Sequence, residues 1–174
     1  TTTPTSRITS KISDMTNRIT FTGTLPPPFT GRTVMTQVIV DGLRNNGPLR
    51  CYDWSFGKPK LGGKLRLARF WGAMNSILKV LFGRKQKGEV LYFPVNAGWG
   101  QLYDIAFVIA ARLRGYHAVL HHHSYSYINK FDWRTALVNW LLGQSGSHVV
   151  HCELMKQDYL AQLSTEAEFL FVPP

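Results

Sequence analysis

The chain has 174 residues, of which 44% are hydrophobic, with 10 Phe, 7 Tyr and 5 Trp. That excludes a wholly disordered protein and leaves room for one domain whose core needs neither disulfide nor metal. Lys and Arg number 20 against 10 Asp and Glu, a net charge of +10, so the surface should attract phosphates on nucleic acid, lipid head groups or a nucleotide-linked substrate.

The two cysteines, Cys51 and Cys152, form no CxxC pair. This removes zinc-ribbon and thioredoxin readings and fits a reducing compartment. Charge interrupts every apolar segment before the ~18–20 residues that span a bilayer. No basic-then-apolar leader with a small-residue cleavage site opens the chain. A cytoplasmic domain with an anionic partner is expected.

Residues 1–16 are mostly Ser and Thr and read as a disordered tail, with the folded domain covering 17–174. From there, β-type runs at Arg18–Thr22, Leu49–Trp54, Val90–Phe93, Ala118–His122, Ser147–His151 and Glu168–Val172 alternate with helical spacing. Met35, Ile39 and Leu43 mark the apolar face of the first helix, which Asn46-Gly47-Pro48 stops. Leu67, Trp71, Met74, Leu78 and Leu81 mark the second. Leu102, Ile105, Ile109 and Leu113 mark the third, which ends at Gly115. Trp133, Leu137 and Trp140 mark a fourth, stopped by Gly143, and a fifth runs from about Cys152 to Leu163. Strand and helix in alternation predict an α/β fold, a Rossmann-like doubly wound and mainly parallel sheet. In such a sheet ligands bind beyond the carboxyl ends of the strands, so chemistry is sought in the loops that follow them.

The first such loop, Gly23 to Thr33, carries three prolines and then Gly31 at a helix start. Gly31, Arg32 and Thr33 are candidates for holding a phosphate, because helix N-terminal amides carry positive potential. The loop is neither GxGxxG nor a P-loop. After the third strand, Asn96, Trp99 and Asp104 are candidates for holding an acceptor: Trp99 as a stacking platform, Asp104 in the first turn of a helix. The fourth strand ends in His121-His122-His123-Ser124-Tyr125. Alternation sends His121 and His123 to one side and His122 to the other. Two imidazoles lack the third ligand of a catalytic zinc site, so no metal is expected. His123, nearest the strand exit, is the catalytic candidate, placed to bond a hydroxyl or phosphate or to exchange a proton near neutrality. Tyr125 joins the acceptor set.

Residues 57–88 hold nine Lys or Arg and no acidic residue, interleaved with Leu, Phe, Trp and Ile. Such a helix either packs on the core with a solvated basic edge or lies on anionic lipid through Lys64, Arg66, Arg69 and Trp71. No recognition motif accompanies the charge, so specific nucleic-acid binding is not expected.

In order and spacing, these loops resemble the N-terminal half of a family-4, GT-B-type glycosyltransferase. The carrying residues are Arg18-Ile19-Thr20-Phe21, Pro26-Pro27-Pro28-Phe29-Thr30-Gly31, Gly100-Gln101-Leu102-Tyr103-Asp104, Ala118-Val119-Leu120-His121-His122-His123 and Phe169-Leu170-Phe171-Val172-Pro173-Pro174. The resemblance implies one half of a GT-B architecture, in which a sugar moves from a nucleotide-sugar donor to an acceptor hydroxyl with retention and without a metal or other cofactor. Gly31 matches the loop that nears the donor phosphates, and His123 matches the histidine near the transferred sugar. Asp104 matches the acidic member of an Arg-Asp pair whose arginine is here Tyr103. The family's C-terminal acidic motif, two glutamates separated by seven residues, is absent, so the chain reads as the acceptor-side half, inactive alone. A carbohydrate or lipid-linked acceptor is expected, with the domain peripheral at the inner face of the cell membrane. The alternative is a non-catalytic basic domain docking on anionic membrane surfaces.

Overall fold

The computed structural model describes residues 18–55 and 63–172, with side chains in the second segment from Leu67 onward. The expected tail, the closing Pro173-Pro174 and the side chains of Lys64 and Arg66 lie outside the described residues. In chain order the elements are β1 (Ile19–Gly23), α1 (Gly31–Asn46), β2 (Leu49–Asp53), α2 (Gly63–Phe82), β3 (Val90–Pro94), α3 (Gln101–Arg114), β4 (His117–His121), α4 (Trp133–Leu142), β5 (Gly146–Val150), α5 (Glu153–Gln162) and β6 (Glu168–Phe171). Every strand pairing is parallel, in the order β2-β1-β3-β4-β5-β6. The fold is Rossmann-like and doubly wound, as the alternation predicts.

Local chemistry fixes the ends of the helices. Thr30 and Thr33 form a reciprocal capping box at the start of α1, which satisfies two donors that the helix leaves open. Asp132 accepts from the Arg134 amide at 2.9 Å and starts α4. Gly115 closes α3 at φ 67°, a left-handed conformation that costs glycine little.

The sheet separates two apolar layers. On one side Phe21, Tyr92, Val119 and Val149 meet Ile39, Val40 and Leu43 of α1. On the other, Leu91, Phe93, Leu120 and Val150 meet residues of α2 through α5. Each of these buried side chains contributes about 1.5–3 kcal/mol by leaving water.

The helix faces are where the structure departs from expectation. In α1, Ile39 and Leu43 are buried as the spacing predicts. But α2 buries Ala73, Ile77 and Val80, leaving Leu67 62% and Trp71 65% exposed. Likewise α3 buries Phe107, Val108 and Ala111 and exposes Leu102, Ile109 and Leu113. In α4, Val138 and Leu142 point inward while Trp133 and Trp140 point out. These three helices pack side by side over the sheet, and close approach selects their narrower side chains. Each carries two apolar stripes, and periodicity alone took the larger one.

Candidate functional site

The strand order reverses between β1 and β3, so the crevice beyond their carboxyl ends is the expected ligand position. The first turn of α1 enters it. Thr33 is committed to the cap: its amide donates to Thr30 Oγ1 at 3.2 Å, and its hydroxyl donates to the Pro28 carbonyl at 2.8 Å. The amides of Gly31 and Arg32 are therefore the first-turn donors left to face an anion. A Cβ built on Gly31 would meet no atom within 4 Å, so the backbone there is open to approach.

Arg32 reaches across the crevice. Its Nη2 donates to Asn96 Oδ1 at 2.8 Å. Asn96 in turn donates to Asp104 twice, from its amide at 2.8 Å and from Nδ2 at 2.6 Å. Gly100 makes this closure possible, since a Cβ there would lie 2.7 Å from Asn96 Cβ. Asp104 is fully buried, which pushes its carboxyl up to about 7, while the Asn96 bonds and the Arg32 charge pull the other way. Burial also lowers Arg32, against the raising influence of Asp104. The result is a fixed guanidinium at the mouth of the switch point.

An open pocket of ≈ 590 Å³ lies beside it, lined by Arg32, Trp54, Arg69, Asn96, Trp99 and Tyr103 among others. Trp99 is 73% exposed, with the Arg134 guanidinium 5.2 Å from its ring. The buried indole Nε1 of Trp54 has no protein partner. A flat exposed indole and two guanidiniums suit a hydroxylated, anionic ligand.

The histidines divide by face as strand alternation requires. His122 turns toward α5 and joins a chain of bonds with His148 at 2.9 Å and Tyr127 at 3.3 Å. On the other face His121, His123 and His151 bring one ring nitrogen each within 4.8 Å of the others. His121 and His123 stack at a centroid distance of 3.9 Å, and His151 lies 5.0 Å and 5.5 Å from them. Nε2 of both His121 and His123 is buried and unpartnered. Burial, then the neighbouring His151 and Arg32, hold the His123 imidazole down at about 3. This corrects the expectation of proton exchange near neutrality: at pH 7 His123 is a neutral ring.

Several of the sequence candidates converge. Gly31, Arg32, Asn96 and His123 occupy one rim, and the charge of Arg32 is felt at His123. Trp99 stands beside them. Thr33 caps the helix, and Asp104, with no exposed surface, holds Asn96, which in turn accepts from Arg32. Tyr125 sits apart from the pocket, its hydroxyl 3.4 Å from Cys152 Sγ. Of the membrane candidates, Arg69 and Trp71 are exposed on α2.

The sequence reading passed over His151, Trp54 and Tyr92. His151 was legible as an exit residue: it follows Val149-Val150 as His123 follows the apolar run of β4. Tyr92, whose hydroxyl bonds His121 Nδ1, carries no signal beyond a β-type run.

No protein-family model matches the chain, and comparisons with curated proteins and with solved structures found no match.

Proposed function

We propose that the chain is the acceptor-side, Rossmann-like domain of a retaining glycosyltransferase that works against a second, donor-binding domain. The observation that supports this best is the convergence of Gly31, Arg32 and His123 on one rim at the switch point, beside a pocket walled by Trp99 and Arg69. In transfer, the bond from the anomeric carbon to the nucleoside diphosphate breaks and a bond to the acceptor oxygen forms on the same face. The acceptor proton leaves with the diphosphate. Negative charge grows on the leaving phosphate, where the Gly31 and Arg32 amides and the guanidinium of Arg32 oppose it. The guanidinium is already oriented by Asn96, itself held by Asp104, so little reorganisation is needed when that charge appears. His123 is a neutral hydrogen-bonding group that orients the sugar or the attacking hydroxyl.

The test is sugar transfer by the complete polypeptide encoded with this domain, using a panel of nucleotide sugars with lipid-linked and soluble acceptors. His123→Ala should lower turnover about 100-fold while the fold, followed by circular dichroism, is kept. Transfer at the normal rate by that variant, or none with any donor, overturns the reading.

A second observation favours a membrane-bound acceptor. Leu67, Phe70, Trp71, Leu78 and Phe82 of α2 are all exposed on a segment whose charges are all basic. An apolar face flanked by cations suits the boundary of an anionic bilayer. No helix among the described residues is long and apolar enough to cross one.

A further inference from the structure

The histidine cluster asks for something that sugar binding does not supply. Three imidazoles converge, from the carboxyl ends of the adjacent strands β4 and β5, with one ring nitrogen of each within 4.8 Å of the others. Two of them present a buried Nε2 with no protein partner, an arrangement that costs free energy unless something occupies the space between. The third, His151, places Nδ1 3.2 Å from the Val172 carbonyl oxygen. A carbonyl only accepts, so Nδ1 carries the proton and Nε2 keeps its lone pair. His121 has the same arrangement available, with Nδ1–H donating to the Tyr92 hydroxyl oxygen and Nε2 free. Imidazoles anchored at one nitrogen by a carbonyl or hydroxyl, with the other nitrogen free, are the usual outer support of a metal site.

We propose that His121, His123 and His151 form a three-imidazole site for Zn²⁺, with its fourth position open to water or a phosphate oxygen. The donor set selects the metal. It holds neutral nitrogens without thiolate or carboxylate, which suits zinc and its late first-row neighbours and disfavours magnesium or calcium. Zinc holds nitrogen at about 2.0–2.1 Å, which sets the ligand atoms ~3.4 Å apart, so binding draws together nitrogens that now lie within 4.8 Å of one another. His121 is fully buried while His123 and His151 are half-buried, so the site opens on the rim and not into the core. Arg32 is the cation whose charge reaches His123, and its guanidinium donates to Asn96 Oδ1. The site stands whether or not the chain transfers sugar.

The experiment is zinc binding by the full chain, purified without a histidine tag and titrated against a chromogenic chelator. One Zn²⁺ per chain is expected. His123→Ala and His151→Ala should abolish stoichiometric binding, and Tyr92→Phe, which removes only the supporting hydroxyl, should weaken it about 10–100-fold. His117→Gln should bind as wild type, since that imidazole pairs with Ser147 at the opposite end of β4. Because a variant can misfold, X-ray absorption on the zinc-loaded wild type should count three imidazole ligands. Failure of the wild type to hold one zinc, equal affinity in all the variants, or a single imidazole ligand overturns the site.

Discussion

Acidification should destabilise this domain at a pH where most proteins of its size keep their full stability. The bonding of His148 shows why. Asn139 Nδ2 donates to the Ser164 carbonyl at 2.7 Å, so its Oδ1 must accept from His148 Nε2–H at 3.3 Å. His148 Nδ1 is then an acceptor for His122 Nε2–H, and His122 Nδ1 accepts from the Tyr127 hydroxyl. Protonating His148 sets its Nδ1–H against the His122 Nε2–H inside the core. Burial holds His148 at about 3, and burial with its histidine neighbours holds His122 and His121 well below the ordinary 6.5. His123 joins them at about 3.

All four folded values are depressed, so below pH 6.5 the unfolded chain binds more protons and stability falls as pH falls toward about 3. His123 and His148, held at about 3, each cost about 2 kcal/mol between pH 7 and pH 5, ~4 kcal/mol together, and His121 and His122 act in the same direction. Asp104 has the opposite sign. Its folded value of about 7 lies above the ordinary 3.8, so it takes up a proton on acidification and returns about 2 kcal/mol over the same range. The net loss is at least about 2 kcal/mol, a large fraction of the stability of an ordinary domain. At ~2–4 °C per kcal/mol for a chain this long, Tm should fall by at least ~4–8 °C. Thermal melts in a chelating buffer from pH 7.5 to 5 measure this. A Tm that is flat or rises on acidification would refute the reasoning, as would imidazole proton shifts of His148 that titrate near pH 6.5.

Gly31→Val should leave stability within ~1 kcal/mol of wild type, since nothing lies within 4 Å of the added Cβ. It should cut sugar transfer by the complete polypeptide about 100-fold, by blocking approach to the first-turn amides; unchanged turnover by that variant would remove the phosphate role. Arg50→Ala should lower stability by about 1–3 kcal/mol in chemical denaturation, because Glu89 is fully buried and Arg50 Nη1 lies 3.3 Å from it; an unchanged midpoint would show that the Thr20 and Gln86 bonds at 2.5 Å and 2.8 Å suffice. Trp71→Ala should reduce sedimentation with anionic vesicles 10- to 100-fold, about 1.5–3 kcal/mol of lost burial, without altering the melt. Equal recovery with and without anionic lipid would count against the docking face.

The alternation of β-type runs with helical spacing, the caps at Thr30 and Asp132 and the stops at Gly47 and Gly115 are local properties, written in neighbouring residues. From them the parallel α/β fold and the rim carrying Gly31, Asn96 and His123 could be derived, because side-chain alternation and right-handed crossovers leave few alternatives. What lies between distant segments was not legible. The inward faces of α2, α3 and α4 were settled by how closely helices approach one another and the sheet, a contest between two apolar stripes that no single stripe decides. The pairing of Arg32 with Asn96 over Asp104, and the arrival of His151 beside His121 and His123, depend on which strands become neighbours. Only the folded sheet, by setting β4 against β5 and α1 across from β3, brings those groups within bonding distance and removes the water that would otherwise keep each at its ordinary protonation.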